Sequence, residues 1–117
     1  MLGPQTHLVT RYLDLLSQSQ RVTATNIANA DTPGYRTRQL EFGAALRAAL
    51  DNPAAKSATE QASVRELGTL PVKNDGNDVV LERELQQLSE TGIRFSHALL
   101  MLKGGLKAVR DAIHEGR

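Results

Sequence analysis

The last third of the chain has the most regular alternation of apolar and polar positions in the sequence. Apolar residues follow one another there at alternating intervals of four and three, which is the spacing of a coiled-coil seam. The predicted seam consists of Leu81, Leu85, Leu88, Phe95, Leu99, Leu102, Leu106, Val109 and Ile113, with Gly92 as its small member. The pattern predicts a helix over residues 78–114, about 55 Å long at 1.5 Å per residue, which Asn77 or Asp78 can cap.

A second row of positions lies beside the predicted seam near the end of the same helix. It keeps the same spacing and contains Ala98, Met101, Gly105, Ala108 and Ala112. Because most of these residues are small, another helix can approach the row closely. A single partner helix would not cover both rows, so the pattern indicates more than one neighbour.

The first part of the chain predicts another long helix, over residues 1–30. Pro4 suits a first helical turn. Apolar residues then recur at helical spacing, at Leu8, Val9, Tyr12, Leu13, Leu15 and Leu16. The rear half, SQSQRVTATNIANA, contains Ser and Thr, which are mediocre helix formers, and needs a partner to stay helical. We therefore expect the two terminal helices to pair as a coiled coil and to form one inner domain.

The sequence between these two helices is less regular. A short helix is expected over residues 40–50, because Phe42, Leu46 and Leu50 share one face and the sequence DNP ends it. Residues 51–77 are polar and small, and we interpret them as a mobile surface loop in which only VRELGTLPV could hold a short strand. The predicted fold class is all-α, with two long terminal helices, a short helix and a largely irregular middle loop.

The stretch NIANADTPGY, residues 26–35, ends the first helix with a concentration of turn-forming residues. Asn26 and Asn29 lie on one helix face, and Pro33 prevents the helix from continuing. Pro33 and Gly34 fit the central positions of a type II turn, of which the second requires a positive φ. From the residues alone, a capped helix followed by a turn explains this Pro-Gly joint, which we place at residues 31–39.

Composition and charge narrow the possible functions. The formal net charge is +1, with 14 basic and 13 acidic residues spread along the chain, which argues against nucleic acid or an anionic membrane as a partner. The sequence has no cysteine, no apolar run long enough to span a membrane and no secretion-signal pattern at its start. Aromatic residues make up only 3% of the chain, so the core is small. We expect the free monomer to be partly unfolded until assembly completes the fold.

Residues that could perform chemistry form no recognisable constellation. Three histidines share no metal-ligand spacing: His7, His97 and His114. Three carboxylates are interleaved with polar residues, as expected of a solvated helix face: Glu82, Glu84 and Glu90. The sequence KGG lacks the rest of a phosphate-binding loop, and no Ser or Thr lies in a nucleophile motif. The sequence therefore predicts a protein without enzymatic activity, cofactor, metal ion or small-molecule substrate.

Both ends of the chain resemble a known family. NIANADTPGY is similar to the signature of the flagellar axial proteins of bacteria, which are the rod, hook and hook-associated proteins, and its continuation NIANADTPGYRTRQLEF resembles the basal-body rod proteins among them. DGNDVVLERELQQLSETGIRFSHALLMLKGGLKAVRDAI resembles the basal-body rod proteins of that family, and the resemblance covers residues 8–50 and 74–113. It implies a non-enzymatic building block whose terminal helices join in a coiled-coil inner domain and pack into a tubular axial structure.

Within this family, the resemblance implies a structural subunit of the proximal rod of the flagellar basal body. Such subunits leave the cytoplasm through the flagellar type III secretion apparatus without a cleaved signal peptide, and they lie in the periplasm. The expected partners are other copies of the chain, other rod proteins, and components of the membrane ring and export gate. The resemblance also assigns an assembly joint that redirects the chain and contacts neighbours, formed by Asn26, Ile27, Ala28, Asn29, Thr32, Pro33, Gly34 and Tyr35.

Two other hypotheses remain open at this point. Another rod subunit of the same family would differ in the neighbours to which it crosslinks. A cytoplasmic coiled-coil adaptor would keep the heptad pattern, but it gives no reason for NIANADTPGY.

Overall fold

The fold is built on two long helices that lie side by side in opposite directions. The computed structural model describes residues 4–52 and 62–115. Helix α1 spans Pro4–Ala28 and helix α3 spans Leu81–Glu115. The principal extents of the molecule are 69 × 25 × 16 Å, so it is strongly elongated.

Contacts at both ends of α1 establish the antiparallel arrangement. Near the end of α1, the Asn26 side chain donates a hydrogen bond to Glu84 in the first turn of α3. Near the start of α1, Thr6 lines a surface groove together with Leu102 and Gly105 of α3. The predicted packing of the two terminal helices against each other is therefore confirmed. Among the described residues, no helix combines the length and the apolar character needed to cross a membrane.

Helix α3 begins three residues later than the sequence suggested, at Leu81. The prediction that Asn77 or Asp78 caps this helix is wrong, because both side chains are used elsewhere. Asn77 Oδ1 accepts the N–H of Val79, and Asp78 Oδ1 accepts the N–H of Thr37. The segment before α3 is thus committed to contacts with the segment after α1.

The most deeply buried row of α3 lies next to the predicted seam rather than on it. Glu84, Thr91 and Ala98 recur at the same heptad position and are buried. Glu84 is fixed by its hydrogen bond from Asn26, and Thr91 and Ala98 are small enough for the helices to approach. The spacing of apolar residues alone does not decide which of two neighbouring rows faces the partner helix.

The predicted seam is only partly buried within a single chain. Its half-buried members are Leu88, Phe95, Leu99 and Leu102. Its exposed members are Leu81, Leu85 and Ile113. The side chains of Leu106 and Val109 lie outside the described part of the structure. In the row of small residues, Ala98 is buried whereas Met101 and Gly105 are exposed, and the side chains of Ala108 and Ala112 are likewise outside the described part.

A small antiparallel sheet corrects the all-α prediction, although the chain is mostly helical as expected. Strand β1, Arg38–Leu40, pairs with strand β2, Val64–Glu66, so that Gln39 lies opposite Arg65. β1 falls at the end of the predicted joint, and β2 falls within the VRELGTLPV part of the predicted loop. Strands of three residues are too short to show a period-two pattern, which is why the helical pattern dominated the prediction.

Helix α2, Phe42–Asp51, closes the core at one side of α1. Leu15 of α1, Leu40 of β1 and Ala45 of α2 form a buried cluster, and the ring of Tyr12 meets that of Phe42 edge-on, with centroids 5.9 Å apart. The expected α2 face is wrong in one position, since Leu50 is exposed. Ala45 and Ala49 are the buried residues of α2. The face that packs on the core therefore contains these two alanines and the partly buried Phe42, and it leaves out Leu50. The part of the predicted mobile loop at residues 53–61 lies outside the described residues.

Candidate assembly joint

The chain leaves α1 through the predicted Pro-Gly turn. The N–H of Tyr35 donates to the carbonyl of Thr32 over 3.2 Å, which closes a four-residue turn with Pro33 and Gly34 at its centre. Gly34 has a φ of 77°, the left-handed conformation that the third position of a type II turn requires. This turn carries the chain from α1 towards β1.

A second turn, before α3, packs directly against the first. The N–H of Gly34 donates to the carbonyl of Asp75 over 2.9 Å. Gly76 has a φ of 86°, and a Cβ atom added there would lie 3.3 Å from the Gly34 Cα. Both the conformation and the close approach therefore favour glycine at position 76. The two turns hold the end of α1 and the start of α3 together through their backbones.

Asn26 lies at the centre of the joint and is almost completely buried. Its Nδ2 donates to the carbonyl of Arg38 over 2.7 Å and to Glu84 Oε1 over 2.6 Å. Its Oδ1 accepts from the Tyr35 hydroxyl over 2.8 Å and from the Arg38 N–H over 3.1 Å. An asparagine amide offers two donors and two acceptor lone pairs, so all of them are satisfied here. One side chain thus ties α1 to the turn, to β1 and to α3.

Asn77 makes the reciprocal connection from the other side of the joint. Its Nδ2 donates to the carbonyls of Asn29 and Thr32, each over 2.9 Å. Both carbonyls belong to the segment that leaves α1, and each also accepts a backbone N–H, from Thr32 and from Tyr35 respectively. Asn77 is completely buried. It therefore fastens the segment before α3 to the end of α1.

Two buried carboxylates complete the network, and one of them corrects a prediction. Glu84 was expected on a solvated face but is completely buried, because Asn26 and the Arg83 guanidinium both bind it. Arg83 also donates to Gln39 of β1 over 2.6 Å. Glu82 and Glu90, in contrast, are exposed. A buried carboxylate is tolerated only when it is paired and hydrogen-bonded, as Glu84 is here.

Asp78 is the other buried carboxylate. One of its oxygens accepts the N–H of Thr37, and the other lies 3.8 Å from the Arg36 guanidinium. The N–H of Asp78 in turn donates to the carbonyl of Tyr35 over 3.2 Å. Asp78 therefore links the segment before α3 to the three residues that lead into β1.

The electrostatic surroundings of Tyr35 keep its hydroxyl protonated. Burial raises the pKa of Tyr35 above its ordinary value, and the negative charges of Glu84 and Asp78 raise it further, while the nearby Arg38 charge acts in the opposite direction. The neutral hydroxyl is the form that donates to Asn26. The pKa shift and the hydrogen bond therefore favour the same state.

The structure brings together most of the joint residues that the sequence indicated. Asn26, Asn29, Thr32, Gly34 and Tyr35 take part in the hydrogen bonds of the joint. The remaining members lie at its periphery, Ile27 half-buried and Ala28 and Pro33 exposed. Sequence reasoning missed the partners from the α3 side: Asn77, Asp78, Arg83 and Glu84. The polar run DGND directly before a heptad helix is the available signal, although on its own it indicates only the end of a loop and a helix cap.

The joint acts as a polar clamp, in which hydrogen bonds between buried groups hold α1, β1 and α3 together. Asn26, Asn77 and Glu84 are each held by two or more hydrogen bonds within the joint, whereas the buried Thr37 Oγ1 and Asp78 Oδ2 have no hydrogen-bond partner among the described residues. Within the described part of the chain, no three side chains of His, Cys, Asp or Glu come together to hold a metal ion. His7, His97 and His114 are all exposed.

An elongated helix pair fastened at one end by a buried polar clamp defines a helical structural protein. Comparison with known proteins gives the family. The profile of the family described as "Flagella basal body rod protein" matches residues 13–36, which include the whole NIANADTPGY stretch. A relative from Salmonella typhimurium strain LT2 is 30% identical over 122 aligned residues, which cover 89% of this chain and 88% of the relative. The chain belongs to the family of flagellar basal body rod proteins and is a structural subunit of that rod.

Two further relatives agree with this assignment. A protein of Borrelia hermsii is 34% identical over 108 residues, covering 76% of this chain and 80% of its own length. A protein of Escherichia coli strain K12 is 26% identical over 122 residues, which cover 89% of this chain and 88% of the relative. All three relatives carry the name flagellar basal body rod protein FlgB.

Proposed function

We propose that this chain is a structural subunit of the proximal rod and assembles through its two terminal helices. In this proposal it lies in the periplasm after type III export without a cleaved signal peptide. Its partners are other copies of itself, other rod proteins and, at the base, components of the membrane ring and export gate. It has no catalytic function and needs no cofactor. Membership of the rod protein family and its similarity to proteins named FlgB support this placement.

The observation that carries the proposal is the incomplete burial of the predicted seam. Leu81, Leu85 and Ile113 are 47%, 49% and 69% exposed, although each occupies a seam position of α3. Large apolar side chains in a recurring row on one helix are typical of a surface that another helix covers. In a rod subunit, that cover comes from neighbouring subunits.

The packing of α3 on α1 supports a finer description of the inner domain. Residues 84, 88, 91, 95, 98 and 102 follow the alternating four-three spacing and are buried or half-buried. We propose that α1 and α3 form an antiparallel coiled coil, and that residues 1–30 and 78–114 act as one unit in the rod.

The joint sets the relative position of the two helices in this proposal. The hydrogen bonds of Asn26 and Asn77 fix the end of α1 against the start of α3. Asp31, Thr32 and Pro33 are exposed at the tip of the turn. We propose that the buried half of the joint aligns the helices and that its exposed tip contacts a neighbouring subunit.

A pair of leucine substitutions tests the proposal in cells that lack the native chain. Leu81→Asp places a charge on the seam at a position that is already exposed, where an acidic residue also suits the first turn of a helix. The purified variant should fold as the wild type does, yet fail to restore rods or swimming. Leu50→Asp is the matched control, since Leu50 is 56% exposed on α2, and it should restore both. Normal rods with Leu81→Asp would contradict assembly through this seam.

A further inference from the structure

Helix α3 carries another heptad row on the side that α1 leaves uncovered. This outer row consists of Glu82, Gln86, Ser89, Ile93, Ser96, Leu100, Lys103 and Lys107. Its intervals alternate strictly between four and three, and every member is exposed. Ile93 and Leu100 are 67% and 63% exposed, which makes them two of the most exposed large apolar residues of the described chain.

The outer row is complementary to itself when its direction is reversed. The series of intervals reads the same from either end, so two copies can be aligned antiparallel over the full row. In that register Ile93 faces Ser96 of the other copy, and Leu100 faces Ser89. A large side chain thus meets a small one at each central position, as knobs-into-holes packing requires.

The charges at the two ends of the row favour the same register. Reversal places Glu82 opposite Lys107, and Gln86 opposite Lys103, at both ends of the pair. A parallel alignment in register would instead place Glu82 against Glu82 and lysine against lysine. Within the described residues, Glu82, Lys103 and Lys107 have no ion-pair partner in their own chain. The charge pattern therefore selects the antiparallel alignment.

Glycine at position 104 removes the remaining steric obstacle. In the reversed register Gly104 lies opposite Leu85 of the other copy, beside the outer row. Apart from its chain neighbours and the adjacent backbone of α3, no described atom lies within 4 Å of a Cβ built on Gly104. Leu85, which is 49% exposed, therefore has an open position to enter.

We propose that a second copy of this chain binds the outer row, antiparallel, to form a two-fold symmetric dimer in solution. A contact of this kind uses the same surface on both partners and closes after two copies, so it cannot by itself extend a rod. The dimer is thus a state of the free subunit that must separate before the outer row can contact other rod subunits. The inference goes beyond the proposed function, since it concerns the free protein and would hold whichever rod position the chain occupies.

Sedimentation equilibrium of the purified chain, from micromolar to millimolar concentration, tests the dimer. The wild type should pass from monomer to dimer and go no further. Glu82→Lys should weaken the dimer roughly tenfold, because it turns two attractive end pairs into repulsive ones. The exchanged variant Glu82→Lys with Lys107→Glu should restore the wild-type dissociation constant. Asp14→Lys, which makes the same charge change at an exposed position of α1, should leave it unaltered.

Two adjacent apolar residues provide a second matched pair. Leu100 belongs to the outer row, while Met101 is similarly exposed at 59% but lies on another face of α3. Leu100→Ser should weaken the dimer at least roughly tenfold, since the contact occurs twice in the pair, and Met101→Ser should change it little. Equal effects of the two substitutions would overturn the assignment of the row.

The orientation is tested by a spin label. The chain has no native cysteine, so Arg110→Cys, on an exposed residue outside the row, accepts a single label per copy. In the antiparallel dimer the two labels lie near opposite ends, about 45 Å apart at 1.5 Å per residue. A parallel pair would bring them next to each other. A monomer at every concentration, a growing polymer or a short label distance would each overturn the proposal.

Discussion

At the residue scale, the joint depends most on the buried side-chain amides of Asn26 and Asn77. Asn26 forms four hydrogen bonds that reach three different segments. Asn77 closes the joint from the α3 side by binding two backbone carbonyls that follow α1. A buried polar network of this kind stabilises one arrangement strongly because an unpaired member is costly. The joint should therefore be sensitive to changes of single atoms.

Asn26→Asp tests this sensitivity. The substitution keeps the size of the side chain but replaces the donor to Glu84 by a second carboxylate oxygen, in a site with almost no access to water. We expect the free energy of unfolding to fall by about 2 to 4 kcal/mol. Asn29→Asp is the control, since the Asn29 amide donates only to the Thr25 carbonyl within α1 at an exposed site. Urea denaturation measures the free energy of unfolding of both variants. Similarly small decreases in the two variants would contradict a central role for Asn26.

Gly76→Ala tests the contact between the two turns. Position 76 has a φ of 86°, and its new Cβ would approach the Gly34 Cα to 3.3 Å. We expect a loss of about 1 to 3 kcal/mol in the free energy of unfolding. Gly43→Ala, in α2, brings its new Cβ within 4 Å of no described atom outside its chain neighbours and the adjacent helix backbone, and should instead raise stability by about 0.5 to 1 kcal/mol. A stability loss at position 43 equal to that at position 76 would contradict the account.

At the element scale, two features set the position of α3 against α1. One is the joint at the start of α3, and the other is a row of small buried residues further along the helix. The hydrogen bond between Asn26 and Glu84 fixes the rotation of α3 at its start. Further along, the buried Thr91 and Ala98 keep the same face towards α1. Larger apolar residues at the edges of this face are only half-buried or exposed. The helix pair is thus close-packed along a narrow line.

Ala98→Leu tests the close approach of the two helices. Ala98 is completely buried, so three additional carbon atoms have no space without separating α1 from α3. We expect the free energy of unfolding to fall by about 1 to 3 kcal/mol. Ala24→Leu, at an exposed position of α1, should change it by less than about 0.5 kcal/mol. Thermal unfolding followed by circular dichroism distinguishes them, and an unaltered Ala98→Leu variant would refute close packing there.

The sequence predicts those elements that depend on local patterns. The long helices follow from heptad spacing, and the turn follows from Pro33 and Gly34, because the residues concerned are neighbours. The burial of Glu84 could not be predicted, since its partner Asn26 lies 58 positions away. The pairing of β1 with β2 was missed for the same reason, and because each strand has only three residues. Local pattern thus identifies the elements of the joint, while contacts distant in sequence decide how they fit.

At the scale of the whole molecule, an elongated chain with a small core leaves much of its apolar surface to be covered by assembly. The molecule measures 69 × 25 × 16 Å. Most of α3 is covered by the rest of the chain on one side only. The buried apolar core is a short cluster around Leu15, Leu40 and Ala45, close to the joint. Long helices without a broad packed face are marginal in water. The subunit should therefore be most stable at the joint and least stable away from it.

Hydrogen exchange of the dilute free monomer tests this gradient. Amide groups around Asn26, Thr37 and Asp78 should be the most protected, because the joint must open before they exchange. Amide groups of α3 beyond Leu102 should exchange rapidly, since every side chain described in that part of the helix is exposed. Uniformly strong protection along both long helices would contradict a partly unfolded free subunit.

The most direct test of the proposed function is electron microscopy of basal bodies from a strain that lacks only this chain, beside the complemented strain. A proximal-rod subunit predicts membrane rings without a rod in the deletion strain, and complete rods after complementation. Intact rods in the deletion strain would contradict the central claim that this chain is a structural subunit of the proximal rod.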